Sequence, residues 1–361
     1  MFSVKLLKVV FFTEKGKALA DRIFNNWDQA VPAFKEKDEQ LDMWVQKAFE
    51  EHQPILFIGA TGIAVRKIAP FLQNKLIDSS VVVIDELGQF VIPLLSGHYG
   101  GANELASLLA GRLGATPVIT TATDINKAFA IDVFAKENGL FISDKDKIKR
   151  VSSKILRGEK VLYKCDVEDA VFIGKRPELV QEADAFVNDK AELNDDLQDS
   201  ISKKSIDFSI EDGEKAHQAV SGSLRLFPKR MVLGIGCKKG KSYEDLKAFV
   251  LGKYDEDRLR GELYAICSID LKQREPGLIM LSQYLGVPFM TYTTAELEEA
   301  PGTYEESDFV KKTVGVGNVC ERAAMLGAGS GAEIVIRKTA GDGMTLAESR
   351  RKKIEIRWQE K

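Results

Sequence analysis

Cysteine is scarce in this chain of 361 residues: Cys165, Cys237, Cys267 and Cys320 are widely scattered, and no two form a Cys-x-x-Cys pair. That spacing spells no zinc site and suits a reducing cytosol. Histidine is scarcer still, with three residues. An excess of one charge sign is also missing. The 51 basic and 54 acidic side chains leave a net charge of −3, which gives no global basic field to hold nucleic acid. No apolar run is long enough to span a bilayer. The apolar stretch from Met1 to Thr13 lacks a small-residue cleavage site and runs into charged residues, so it reads as a first strand rather than a signal peptide. What remains is 44% hydrophobic and 29% charged, ordinary for a globular protein. At about 100–200 residues per domain the length accommodates two or three domains. A cytoplasmic location is expected.

The periodicity predicts strands at Leu6–Thr13, Ile55–Ile58, Val81–Ile84, Phe90–Leu95 and Val118–Thr121. Helices are predicted at Gly16–Asn25, Glu36–Glu50, Ile63–Leu72, Ala102–Leu113 and Ile125–Glu137, with Gly114 as an αL cap on the fourth. Such alternation implies βαβ units and a largely parallel sheet. The turn at Asp85–Gly88 reads as a hairpin, so the sheet is mixed. From Ser143 the pattern weakens. Gly158–Asp166 and Val171–Gly174 are strand candidates, and Glu178–Glu214 is an acidic, poorly periodic stretch. Pro228-Lys229-Arg230 marks a boundary. A second patterned unit then runs from Met231, with strands at Met231–Ile235, Leu263–Ile269, Phe289–Tyr292, Glu333–Ile336 and Met344–Ala347, and helices at Ser242–Leu251, Gly277–Tyr284, Thr294–Ala300 and Val319–Leu326. The expected fold is α/β: two three-layer α/β domains, residues 1–140 and 229–361, with mostly parallel or mixed sheets, joined by a smaller variable region, residues 141–228.

The most informative segment is Ser96–Glu104, where an apolar strand runs into a glycine-rich turn and then a small-residue helix. Gly97, Gly100 and Gly101 permit close backbone approach, and free amides at the helix start can meet an anion. His98 inside the turn is a candidate general base or acid. Asn103 and Glu104 are placed to orient substrate or the histidine. A tight strand–helix turn with an exposed histidine has the same spacing. Gly234–Ser242 resembles a Walker A loop but fails its spacing, because Ile235 stands where the first glycine belongs. It reads either as an anion-binding turn flanked by lysines or as a glycine turn with solvated lysines. Ser268–Gly277 carries Asp270, Lys272 and Glu275 beyond a strand end, where open α/β sheets bind ligands. The plain alternative is a polar loop with Pro276 opening a helix. In Thr313–Ala324, Cys320 has no histidine nearby in sequence and fits a core position. Glu321 is the better chemical candidate, although a first-turn glutamate also suits the helix dipole. Gly59-Ala60-Thr61-Gly62 with Arg66 repeats the theme. Together these turns point to a shared cleft for an oxygen-rich ligand.

Gly62–Pro70, Ile92–Ala106 and Pro117–Asp124 resemble the N-terminal domain of the cobalt-precorrin-5A hydrolase (CbiG) family of cobalamin biosynthesis. Gly234–Ser242, Ser268–Gly277 and Gly315–Ala324 resemble its C-terminal domain. Ala64 stands where a bulkier apolar residue is frequent, and Arg322 where proline is. The resemblance implies a cobalt-bearing tetrapyrrole substrate with many carboxylates and a ring-A δ-lactone. Water would open the lactone and acetaldehyde would leave, giving cobalt-precorrin-5B. On that reading His98, Glu104, Asp270, Glu275 and Glu321 are the acid–base candidates. Arg66, Ser96, Gly97, Gly100, Gly101, Asn103, Gly234, Gly236, Lys238, Lys241, Lys272, Gly315 and Gly317 are the substrate-binding candidates. No metal site and no cofactor of the protein's own are expected, since the substrate carries the cobalt and its conjugated ring is the electron sink. The expected partner is this small molecule, without nucleic acid or membrane. A homodimer and transient contact with neighbouring pathway enzymes are left open. The rivals are a non-catalytic tetrapyrrole carrier, a nucleotide-binding enzyme using Gly234–Ser242, and a purely structural role for the glycine turns.

Overall fold

The computed structural model describes residues 5–74, 77–98, 100–183, 206–213 and 222–358. These form two compact units, Met1–Thr121 with Arg230–Arg351, and Ala122–Lys229 with Lys352–Lys361. Among the described residues no helix is long and apolar enough to cross a membrane.

The first unit opens with an N-lobe of β1 (Lys5–Phe11), α1 (Glu14–Phe24), β2 (Ala30–Phe34), α2 (Leu41–Glu50), β3 (Ile55–Ile58), α3 (Thr61–Ile68), β4 (Val81–Ile84), β5 (Phe90–Leu95), α4 (Ala102–Leu113) and β6 (Thr116–Pro117). Its sheet order is β2-β1-β3-β4-β5-β6. The runs Ile-Leu-Phe-Ile and Val-Val-Val-Ile are buried along their whole length, as central parallel strands covered on both faces must be. Leu7, Val9, Leu56 and Ile58 pack under α1 and α4 on one face. Val10, Ile55, Phe57 and Val83 pack under α2 and α3 on the other. Strand β2 escaped sequence reading because Pro32 lies inside it. As an edge strand it tolerates the missing N–H. Helix α2 starts at Leu41 rather than Glu36, since Glu36–Gln40 forms a local turn in which Glu39 accepts from the Glu36 amide at 3.1 Å.

Strand direction decides where the turns stand. β1 to β4 are parallel, but β5 returns antiparallel to β4, with Leu95 opposite Val81. The glycine turn that follows β5 therefore lies at the N-terminal ends of the parallel strands. The Gly59–Gly62 turn follows β3 and lies at the opposite end of the same sheet.

The second unit contains α5 (Ala122–Ile125), α6 (Ile131–Glu137), β7 (Leu140–Ile142), α7 (Ile148–Leu156), β8 (Val161–Cys165), β9 (Ala170–Ile173), β10 (Val180–Glu182), β11 (Phe208–Ile210) and β12 (Leu224–Pro228). Five of its strands form a sheet in the order β10-β8-β11-β12-β7. Much of the acidic stretch Glu178–Glu214 lies outside the described residues. Its described ends supply β10 and β11.

The chain then returns to the first unit as a C-lobe: β13 (Met231–Cys237), α8 (Tyr243–Leu251), α9 (Glu256–Glu262), β14 (Leu263–Ile269), α10 (Pro276–Tyr284), β15 (Phe289–Tyr292), α11 (Thr294–Glu298), α12 (Asp308–Val314), α13 (Val319–Ala328), β16 (Glu333–Gly341) and β17 (Met344–Arg350). The sheet order is β15-β14-β13-β17-β16, with β13, β14 and β15 parallel and the last two strands antiparallel. A final strand, β18 (Ile354–Arg357), pairs with β9 of the second unit. The expected boundaries at 140 and 229–361 therefore shift. Residues 122–140 and 352–358 belong with the middle region, because β7 pairs with β12, Asn138 exchanges two hydrogen bonds with the Arg357 backbone, and Trp358 stacks on Phe134 at 5.0 Å.

Within the first unit the two lobes share a core. Leu6 is buried in the C-lobe cluster of Tyr243, Leu246 and Leu281, with Val31 and Ala33 packed beside it. β1 begins three residues before β3 does, and Gln283 of α10 fills the gap. It accepts from the Leu6 amide and donates to the Leu6 carbonyl, both at 3.0 Å.

Candidate active site

The turn after β5 is dictated by its residues. Ser96 takes a left-handed φ of 54°, and its Oγ donates to the Asp78 carbonyl at 2.8 Å. The Ser96 and Gly97 carbonyls accept from Ala102 and Asn103 at 3.2 and 2.9 Å, which folds the turn over the start of α4. A β-carbon on Gly97 would lie 2.5 Å from Asn103 Oδ1, and one on Gly100 would lie 2.5 Å from Ser96 Cβ. Only glycine fits either place. The amides of Gly97, Gly100 and Gly101 donate to no described residue. They stand at the positive end of a 12-residue helix. His98 is half-buried in this turn and its Nε2 is shielded from solvent. Tyr99 lies outside the described residues. Asn103 is buried and donates Nδ2 to Thr121 Oγ at 3.0 Å. Thr121 lies in the Pro117–Asp124 stretch noted in the sequence, but only the fold reveals that it meets Asn103. Glu104 does not orient the histidine: it is exposed and pairs with Lys5 at 3.3 Å.

In the C-lobe the ends of β13 and β14 bring the loops 238–242 and 270–276 together. Glu275 is the joint. Its carboxylate accepts from the Gly240 amide at 2.7 Å and from Lys272 Nζ at 2.8 Å, with the side chain 7% exposed. Gly277, one residue into α10, touches the Lys241–Ser242 backbone so closely that a β-carbon would collide with it. Lys241 pairs with Asp245 at 3.1 Å, and Lys238 is exposed. Gly234 serves packing, because a β-carbon there would strike the Cys320 carbonyl in α13. Gly236 faces Thr345, Gly315 closes α12 at φ 85°, and Gly317 lies against Glu306. Glu321 is 1% exposed and accepts from the Lys338 amide at 2.7 Å and from Arg337 at 3.0 Å, tying α13 to β16. Burial pushes the Cys320 thiol up to about 11, which keeps it protonated near neutral pH. Of the three C-lobe carboxylates proposed from sequence, Asp270 alone makes no side-chain hydrogen bond or ion pair with a described residue. It is half-buried just past β14.

Arg274 links this loop to the N-lobe. It lies 3.4 Å from Asp28 Oδ1 and donates to the Ala30 carbonyl at 3.4 Å, at the start of β2. The Asp270–Glu275 loop therefore meets the sheet end that also carries His98. Arg66 is at the other end, where it donates to the Gly62 carbonyl at 3.2 Å. The candidates expected to share one cleft thus divide between the two ends of the N-lobe sheet, with Arg66 and the Gly59–Gly62 turn at the end away from His98 and the Asp270–Glu275 loop. A recess of about 550 Å³ lined by Asp21, Arg22, Phe24, Asn25 and Phe34 contains none of these residues.

Three family models match the chain in order. Cobalamin synthesis G N-terminal covers residues 43–124, cobalamin biosynthesis central region 129–220, and cobalamin synthesis G C-terminus 231–348. They define a three-part protein of cobalamin synthesis. The chain is 39% identical over 288 residues to the cobalt-precorrin-5A hydrolase of Salmonella typhimurium, covering 78% of each chain. It is 31% identical over 351 residues to the cobalt-precorrin-5A hydrolase of Priestia megaterium, covering 92% of each. The crystal structure of a cobalamin biosynthesis protein G homologue from Sulfolobus solfataricus aligns over 97% of both chains at 20% identity, with a TM-score of 0.41. The chain belongs to the cobalt-precorrin-5A hydrolase (CbiG) family.

Proposed function

We propose that this protein hydrolyses the ring-A δ-lactone of cobalt-precorrin-5A and releases acetaldehyde, leaving cobalt-precorrin-5B. The observation that carries the reading is the set of amides at Gly97, Gly100 and Gly101, which donate to no described residue, beside a histidine whose Nε2 is shielded from water. Water attacks the lactone carbonyl and its oxygen becomes negative. One well-aimed donor to such an oxyanion is worth about 2.7–4 kcal/mol. His98 takes the proton from the attacking water. Opening the ring frees a hydroxyl on the departing two-carbon unit. Loss of that hydroxyl proton breaks the carbon–carbon bond to the macrocycle and gives the aldehyde. The electron pair passes into the conjugated ring, which takes up a proton, so no further cofactor enters the scheme. Asp270 is the group suited to this second proton transfer, since Glu275 and Glu321 are committed to backbone amides and to cations. The exposed Leu271 offers apolar surface to the ring, and the exposed Lys238 on the neighbouring loop is placed to meet one of its carboxylates, whereas Lys272 and Lys241 are engaged by Glu275 and Asp245. A cytoplasmic location fits this chemistry.

Anaerobic incubation of the purified protein with cobalt-precorrin-5A, assayed for acetaldehyde, tests the reading. We expect one equivalent of aldehyde per pigment consumed. Tight pigment binding without aldehyde would instead establish a carrier.

A further inference from the structure

Two cations, one from each lobe, stand at the starts of β1 and β2, the same end of the N-lobe sheet, and have no role in the chemistry above. Lys5 opens β1, and its partner across the sheet is Ala30 of β2. Arg274 of the C-lobe donates to the Ala30 carbonyl at 3.4 Å. An ammonium and a guanidinium distant in sequence are therefore carried at the same end of adjacent strands. Packing fixes the arrangement, because Leu6 is buried in the C-lobe core and Gln283 holds its backbone at both ends.

The acid that pairs with each cation is exposed. Arg274 and Asp28 are 3.4 Å apart and 49% and 96% exposed. Lys5 and Glu104 are 3.3 Å apart and 34% and 51% exposed. Long, solvated ion pairs of this kind contribute little to folding and are weakened by salt. Glu275 and Glu321, buried at 2.7–3.0 Å from their partners, show how this protein holds an acid that it does not release.

We propose that Lys5 and Arg274 form an anchoring site for two carboxylates of the ligand, which displace Glu104 and Asp28. The ligand class is a rigid organic scaffold with flexible carboxymethyl or carboxyethyl arms. The arginine presents a planar fork suited to bidentate pairing, and the lysine a point charge. This rests on the reading of the chain as a hydrolase of a carboxylate-rich tetrapyrrole and names the cations that hold its periphery. Asp28 and Glu104 stand where the ligand's carboxylates will sit.

The test titrates uroporphyrin III, an octacarboxylate porphyrin, against the full chain by absorbance, for the wild type and for Lys5→Gln, Arg274→Gln and Asp28→Asn. We expect each cation variant to weaken binding about tenfold at low salt and to flatten its salt dependence. Asp28→Asn removes a competitor and should tighten binding. A merely structural Arg274–Asp28 pair gives no such gain. Unchanged affinity in both cation variants overturns the proposal, as does weaker binding in Asp28→Asn or no porphyrin binding by the wild type. Thermal midpoints of all three variants separate a folding loss from a binding loss. With cobalt-precorrin-5A, Arg274→Gln should raise KM. If the wild type binds the porphyrin but releases no aldehyde, the hydrolase reading fails while the cation variants still decide the anchoring site.

Discussion

Replacing Glu275 separates two roles that the sequence leaves tangled. The Glu-Pro-Gly run beyond β14 offers Glu275 as an acid–base group, whereas the structure commits its carboxylate to the Gly240 amide and Lys272. Glu275→Ala removes the acceptor of the Gly240 amide and strands a lysine whose side chain is 14% exposed. Breaking one partner of a buried pair costs about 3–5 kcal/mol. For a unit of this size about 1 kcal/mol lowers Tm by about 2–4 °C, so a fall of about 10 °C is expected. Glu275→Gln keeps an acceptor for Gly240 and loses only the charge on Lys272, so its cost should be about 1–3 kcal/mol. Thermal unfolding by circular dichroism gives the first number, and acetaldehyde release below both midpoints gives the second. We expect the glutamine variant to retain most of its kcat. A Glu275→Ala protein with an unchanged Tm and no turnover would refute the joint and return Glu275 to the chemistry.

Asp270→Asn should lower kcat by about 10²-fold or more and leave Tm within about 2 °C, because its carboxylate has no described partner to lose; stopped aldehyde assays and calorimetry check both. Trp358→Ala removes a ring stacked on Phe134 and Phe172 at 5.0 and 5.2 Å and should cost the second unit about 3–5 kcal/mol, read as early loss of hydrogen-exchange protection in β8 and β11. Burial holds the Glu51 carboxyl above its usual range. The folded chain then keeps this proton to higher pH than the unfolded chain, so Glu51 makes stability fall as pH rises from its unfolded pKa to its raised folded value. Glu51→Gln should lessen that fall in urea midpoints measured from about pH 4 to about pH 8, and an unchanged slope would show that Glu51 does not contribute. Gly234→Ala should destabilise the C-lobe by about 1–3 kcal/mol through displacement of α13, with porphyrin affinity unchanged at temperatures where it is folded.

The parts of the fold legible in the sequence are those written in local signals. β3 and β4 are unbroken apolar runs, α4 ends on a glycine at φ 69°, and α8 is capped by Ser242, whose side chain accepts from the Asp245 amide. Strand direction is not written there. The reversal at β5 places His98 and Arg66 at opposite ends of one sheet, a fact that the spacing of either motif does not contain. The final strand is illegible for a related reason. Ile354–Arg357 alternates like many short edges, and only its pairing with β9 assigns it to the second unit. Among the candidate residues the turn glycines could be read as backbone necessities. Which carboxylates are engaged could not, because Glu275 and Glu321 accept from amides 35 and 17 residues away.

The most direct measurement is single-turnover acetaldehyde release from cobalt-precorrin-5A by His98→Ala, run beside a pigment-binding titration and a thermal melt. We expect release to slow by about 10²–10⁴-fold while pigment affinity and Tm stay near those of the wild type. Aldehyde appearing at the wild-type rate would contradict the assignment of His98 as the base.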